Sequence, residues 1–226
     1  MSITICPVGD SAIKVNFAGE ISPELNAAIR AYCRGLEEAS IFGVIEWVPA
    51  FNSVTVYYRP KQIGYNFLAE KLDNLCDLPD DKTKMKSRIV RVPVLYGGKY
   101  GPDLQRVAEL NQLEKEEVID IHQNQEYLVY MIGFLPGFPY LGGLDKRIAA
   151  PRLEQPRREI FAGAVGIANE QTGIYPVTSP GGWNIIGKTP LLLFDQSEFL
   201  FQAGDYIKFY RVNEDEFSEI EINQKW

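Results

Sequence analysis

The sequence predicts an α+β protein of two parts: a small ββαββα domain over residues 1–85, then a β-rich barrel or sandwich over residues 86–226. Three observations predict it. Before residue 77, strand-like and helix-like apolar segments follow one another in the order ββαββα, which suits two helices on one face of a small sheet. Residues 77–88, DLPDDKTKMKSR, are the most polar run of the chain and hold Pro79, the composition of a linker between domains. Beyond residue 161, short apolar segments alternate with turn signals, Ala-Gly, Thr-Gly, Pro-Gly-Gly and Ala-Gly-Asp, a spacing that suits a barrel or a sandwich.

Taken in order, residues 3–6 and 12–17 read as strands around a Pro-Val-Gly-Asp turn. Ser22 is an N-cap with Pro23 at the first helical position, and Leu25, Ile29, Tyr32 and Leu36 recur at helical spacing. Residues 42–48 and 53–58 read as a strand pair, and Phe67, Leu68, Leu72 and Leu75 mark a second helix. Residues 89–96 form a strand ending in Gly-Gly. Leu104, Val107 and Ala108 mark a short helix opened by Gly101-Pro102-Asp103, and Val118, Ile119 and His122 another, led by acidic residues that suit a helix N-terminus. The acidic tail over residues 213–221 reads as a last strand or a frayed end.

Composition narrows the function classes. A net charge of -7, with 46% hydrophobic and 23% charged residues, describes a soluble globular chain and argues against bulk binding of nucleic acid or an anionic membrane. Cys6, Cys33 and Cys76 are odd in number, lack CxxC spacing, and read as reduced core thiols. The first residues lack a basic segment followed by a long apolar one, so no secretory signal is expected and the cytoplasm is the expected location. One histidine and three scattered cysteines cannot build a common zinc site, and no resident metal is expected.

The chain is organised around residues 127–144, YLVYMIGFLPGFPYLGGL, which carry no charge, two prolines and four glycines. Residues 127–132 have the composition of a strand. After Gly133 each aromatic is flanked by Gly or Pro, so Phe134, Phe138 and Tyr140 are expected on a kinked loop that continues neither a strand nor a helix, and the prolines exclude a membrane-spanning helix. Such a loop serves either as packing or as the wall of a cleft. His122, near its helix C-terminus, is either a satisfied structural histidine or one whose protonation responds near neutral pH. Residues 145–159 gather Lys146, Arg147, Arg152, Arg157 and Arg158, which form either a solvated face or a site for a carboxylate or phosphate. Residues 182–189, GWNIIGKT, fit the phosphate-loop letters, but Pro180-Gly181 before them and Pro190-Leu-Leu-Leu after them deny the strand-to-helix context the mechanism needs. Lys188 is left as a lone candidate for a phosphate contact.

Residues 127–144, Ala149-Ala150-Pro151-Arg152, Gln171-Thr172-Gly173-Ile174-Tyr175-Pro176, Ser179-Pro180-Gly181-Gly182-Trp183 and the YGGKYGPDL opening at residues 96–104 together resemble one family along essentially the whole chain. It is the group of the 5-oxoprolinase B subunit, allophanate hydrolase subunit 1 and the kinase A inhibitor of sporulating bacteria. The resemblance implies that the C-terminal domain is a cyclophilin-like β-barrel. It implies a heteromeric complex with a C-type partner and an A-type partner, and ATP with Mg to activate a lactam carbonyl on the way from 5-oxoproline to glutamate. It also implies, as the alternative, inhibition of a sensor histidine kinase. Within that frame the expected site is built from His122, Tyr140, Arg152, Gln171, Tyr175 and Trp183, with Phe134 and Phe138 against the substrate and Lys188 on the nucleotide. Arg152 is expected to hold the substrate carboxylate, Gln171 and Tyr175 to hydrogen-bond the lactam, and His122 to shuttle a proton. The aromatic loop, and Phe138 in particular, is also expected to anchor the partner.

Overall fold

The computed structural model describes residues 2–77, 87–195 and 198–223, so most of the expected linker lies outside the described residues. The chain divides into two compact units, Met1–Lys86 and Ser87–Trp226.

The first unit runs β1 (Ile3–Val8), β2 (Ala12–Phe17), α1 (Pro23–Ala39), β3 (Val44–Pro49), β4 (Ser53–Tyr58) and α2 (Tyr65–Asn74). Its antiparallel sheet has the order β1-β2-β4-β3. The Ser22 hydroxyl accepts from the Leu25 N–H, which stops α1 at its start, and Ser40 in the left-handed region closes its end. Ile13, Val15, Val54 and Val56 of the sheet meet Leu25, Ile29 and Leu36 of α1 and Leu68 and Leu72 of α2, so both helices cover one sheet face. Phe67 departs from expectation. Leu68 and Leu72, four residues apart, define the buried stripe of α2, and Phe67 lies outside it with the Lys71 ammonium 5.3 Å from its ring. The three cysteines are free and partly buried, and burial pushes the Cys33 thiol up to about 12.

The second unit opens with β5 (Ile89–Tyr96), α3 (Leu104–Leu110), α4 (Lys115–Asn124), β6 (Tyr127–Ile132) and β7 (Pro139–Gly142). It continues with β8 (Arg157–Ile160), β9 (Ala164–Ala168), β10 (Gln171–Ile174), β11 (Ser179–Gly181), β12 (Asn184–Lys188), β13 (Phe194–Asp195), β14 (Glu198–Phe199), β15 (Tyr206–Arg211) and α5 (Glu214–Asn223). Seven strands close a barrel in the order β10-β7-β6-β15-β5-β12-β9, which decides for a barrel over a sandwich. Alternate residues along the strands, such as Val165 and Ile167, Leu141, and Ile186, feed one core with Val107 of α3 and Val118 of α4. Their neighbours, Ala164 and Ala168, Tyr140, and Ile185, face a second cluster on the other side of the sheet.

Two elements correct the sequence reading. Residues 139–142 are a strand, not a continuing loop, because the chain reverses at Phe134 (φ 67) and Gly137 (φ 83) and returns as a hairpin on β6. The reversal is closed by the Gly133 N–H donating to Phe138 O and the Phe138 N–H to Leu135 O. The acidic tail is the helix α5 rather than a strand or a frayed end. Asn213 and Glu216 exchange side-chain and backbone hydrogen bonds at 2.9 Å each, a capping box, and three acidic residues in the first turn suit the helix N-terminus. Phe217 then buries against Tyr100 with ring centroids 5.5 Å apart.

Candidate functional site

His122 is the first correction at the level of chemistry. It is 0% exposed, with Nδ1 2.7 Å from the Tyr96 hydroxyl and Nε2 3.0 Å from the Thr172 hydroxyl. Thr172 donates its own proton to Gly166 O at 3.0 Å, so it can only accept from the ring. The imidazole therefore carries its proton on Nε2 and accepts from Tyr96 on Nδ1. Both valences are used, and the ring stacks on Phe209 at 4.6 Å. Burial holds its pKa down to about 3, the reverse of the shift expected from the helix end, because a cation in this core would lose its hydration. His122 bridges β5 and β10 across the barrel as a neutral structural group, and no proton shuttle is available there.

The other expected residues separate into a buried floor and an accessible rim. Phe138 is 1% exposed and touches Tyr140, Tyr175 and Trp183 at ring-centroid distances of 4.9, 5.3 and 5.4 Å. Tyr175 and Trp183 are buried with it. The reason is local backbone chemistry. A Cβ on Gly173 would lie 3.0 Å from both the Phe138 and Trp183 rings, and one on Gly181 would lie within 3 Å of the Tyr175 ring. These glycines let the rings settle on the outer face of the sheet. Phe138, Tyr175 and Trp183 are thus floor rather than contact residues, and Phe138 is not available as an anchor for a partner. Phe134 is the exception, 63% exposed and standing edge-on to Phe138 at 5.6 Å.

The rim comprises Phe134, Tyr140, Arg152 and Gln171. Thr172 points to His122 and Gly173 to the aromatic floor, so the alternation of β10 puts Gln171 on the floor's face. Arg152 is exposed and close enough to act on both tyrosines: its charge opposes the upward shift that burial gives the Tyr140 and Tyr175 hydroxyls. Tyr175 still reaches about 12, even with the Trp183 backbone N–H bonded to its hydroxyl. Both phenols are therefore neutral donors near pH 7. Arg88, Arg147, Arg157 and Arg211 each sit 2.6 to 2.7 Å from a carboxylate oxygen. Arg152 has no ion pair or hydrogen bond among the described residues. The arrangement offers an uncompensated guanidinium and neutral donors over an apolar floor, the composition of a site for a small anionic molecule.

Lys188 is not brought to this group. It lies at the far end of β12, roughly 13 Å along the strand from Asn184. Its ammonium is 3.4 Å from Glu221 and 5.2 Å from the rings of Tyr100 and Phe217, so it latches α5 to the barrel. The phosphate-loop letters thus fall largely on a strand, and that stretch forms no phosphate cradle. Sequence reasoning also passed over Asp103 and Asn184. Asp103 grips Arg157 with both oxygens, at 2.7 and 2.8 Å, and accepts from the Ile185 N–H at 2.7 Å. An open groove of about 610 Å³ between the end of α1 and α2, lined by Phe42 and Phe67, holds none of the expected residues.

Residues 3–200 match the family model described as carboxyltransferase domain, subdomain C and D. The chain belongs to this family. Among members of the carboxyltransferase C and D family, it is 49% identical to the 5-oxoprolinase B subunit of Bacillus subtilis (strain 168), with 93% of each chain covered. It is 38% identical to the 5-oxoprolinase B subunit of Haemophilus influenzae, covering 92% of this chain and 97% of that one. A solved structure of a conserved uncharacterized protein from Pyrococcus horikoshii is 43% identical, with a TM-score of 0.57 over 95% of this chain and 100% of that one. Urea carboxylase of Kluyveromyces lactis shares the fold at 20% identity, with a TM-score of 0.78 over 98% of this chain and 23% of that much longer one.

Proposed function

We propose that the chain is the B-type member of a 5-oxoprolinase and acts in a complex with C-type and A-type partners. The observation that carries the reading is Arg152: an exposed guanidinium without a carboxylate partner among the described residues, above an aromatic floor, in a chain 49% identical to a 5-oxoprolinase B subunit. Arg152 holds the carboxylate of 5-oxoproline in charge-assisted hydrogen bonds. Gln171 and the Tyr140 hydroxyl meet the lactam, and Phe134 covers the ring from the solvent side. Phe138, Tyr175 and Trp183 keep the floor apolar and fixed.

An amide oxygen is a poor leaving group, and phosphoryl transfer from ATP with Mg supplies the activation in the complex. Lys188 does not fit as a contact for that nucleotide, being engaged by Glu221 and two rings, so no step is routed through it. The test is to mix the chain with both partners and measure ADP release against 5-oxoproline. Release that depends on 5-oxoproline and on this chain supports the proposal. Its absence, together with suppression of a sensor histidine kinase's autophosphorylation at near-stoichiometric amounts, overturns it in favour of a regulator.

A further inference from the structure

Arg152 owes its position to a segment with no regular structure, between the 3₁₀ turn at Lys146–Ile148 and β8. A loop of that kind does not by itself hold a side chain to the tolerance that binding needs. Here the backbone is tied on both sides of Arg152. The Leu153 N–H donates to Gly182 O at 2.8 Å, Ala150 O accepts from the Asn169 N–H at 2.6 Å, and Pro151 O accepts from Asn184 Nδ2 at 2.9 Å. Of these ties, the one to Asn184 is made by a side chain.

Asn184 is 0% exposed in a strand whose next two residues are isoleucines. Burying a primary amide is unfavourable unless its donors and acceptor are matched, and here they are. Nδ2 gives one proton to Pro151 O and the other to Ile167 O at 3.1 Å, and Oδ1 accepts from Arg106 Nε at 3.2 Å. Arg106 can only donate and the two carbonyls can only accept, so all three partners hold the amide in the same orientation. The amide joins the Arg152 segment to β9 in a single orientation.

We infer that Asn184, held by Arg106 and two backbone carbonyls, is a positioning residue that sets Arg152 for the carboxylate of the substrate. The inference rests on the reading of Arg152 given under the proposed function. The experiment is a double-mutant cycle in the reconstituted three-component complex, with 5-oxoproline as probe and ADP release as readout. Asn184→Leu keeps the branched shape of the side chain and removes the hydrogen bonds; it is expected to raise KM about tenfold with kcat within about twofold. Arg106→Met, on an exposed side chain, removes one of the three hydrogen bonds that hold the amide without opening the core, and is expected to raise KM about threefold. In an Arg152→Ala background both substitutions should have no further effect on KM, since nothing is left to position.

A structural role alone would leave the same loss in both backgrounds, and that additivity overturns the inference while leaving the Arg152 reading in place. Unchanged KM for Arg106→Met and for folded Asn184→Leu overturns it equally. Unchanged KM for Arg152→Ala alone overturns the Arg152 reading, and the positioning role with it. Should Asn184→Leu fail to fold, Arg106→Met carries the cycle.

Discussion

Replacing His122 with leucine should make the protein less stable at neutral pH and more stable in mild acid. At pH 7 the substitution deprives the Tyr96 hydroxyl of its acceptor and Thr172 of a donor in a fully buried setting, a loss of about 3 kcal/mol on the scale of about 1–3 kcal/mol per unsatisfied buried group. The pH dependence has the opposite sign. The folded imidazole has its pKa lowered from 6.5 to about 3, so below 6.5 the unfolded chain takes up a proton that the folded chain refuses. Stability contributed by the neutral ring is whole above 6.5 and is lost at about 1.4 kcal/mol per pH unit as pH falls toward 3, where the loss levels off. The leucine variant has no such loss. The two stability curves should therefore cross about two units below 6.5, near pH 4.4, with the carboxylates common to both cancelling in the difference. Urea unfolding of both chains from pH 7 to pH 4, followed by circular dichroism, gives the curves. Because His122 is the sole histidine, NMR reads its ring without assignment and should find Nε2 protonated and no titration while the chain stays folded. A folded-state midpoint near 6.5, or a stability difference that stays constant across this range, would refute the reasoning.

Four other outcomes follow from the same geometry. Arg152→Ala should raise KM for 5-oxoproline in the reconstituted complex by one to two orders of magnitude without lowering the melting temperature, since its side chain is exposed and unpaired among the described residues. Phe138→Ala should cost about 3–5 kcal/mol in urea unfolding and leave partner affinity of the folded fraction unchanged, whereas Phe134→Ala should cost about 0.5 kcal/mol or less. Phe134→Gly should be more stable than Phe134→Ala by about 1 kcal/mol, because residue 134 sits at φ 67 where any Cβ is strained; equal melting temperatures would contradict this. Asp103→Ala should cost about 3 kcal/mol by stranding Arg157 and the Ile185 N–H, measured against Glu170→Ala, whose exposed Lys146 pair should cost less than about 1 kcal/mol.

What the sequence disclosed about this fold divides by the range of the interactions that fix it. The start and the buried face of the helix α1 were legible because its cap, its proline and its apolar stripe are all local, and Ser22 bonds three residues ahead. The helix α5 carried an equally local signal, Asn213 with Glu216, but the acidic tail read as a last strand or a frayed end. The strand β7 was hidden because glycines and prolines flank the aromatics on both sides of the turn, so Pro136-Gly137 read as part of a continuing loop, and the other reversing residue, Phe134, is a bulky one that does not announce a left-handed turn. For the site, the motifs named the right stretches and not the right roles. Whether His122 is a base or a strut depends on Tyr96 and Thr172, 26 and 50 residues away, and only barrel closure brings them to it. The same closure decides that Phe138 and Trp183 are floor while Gln171 and Arg152 are rim. A sign of this was present in the glycines: Gly173 and Gly181 interrupt strands where a side chain would normally pack, and such positions mark a close approach by something large. Three aromatic residues in neighbouring motifs supply what approaches. A strand glycine beside aromatic motif residues therefore argues that those rings lie on the sheet and are spent on packing, which leaves the polar residues between them as the ones that meet a ligand.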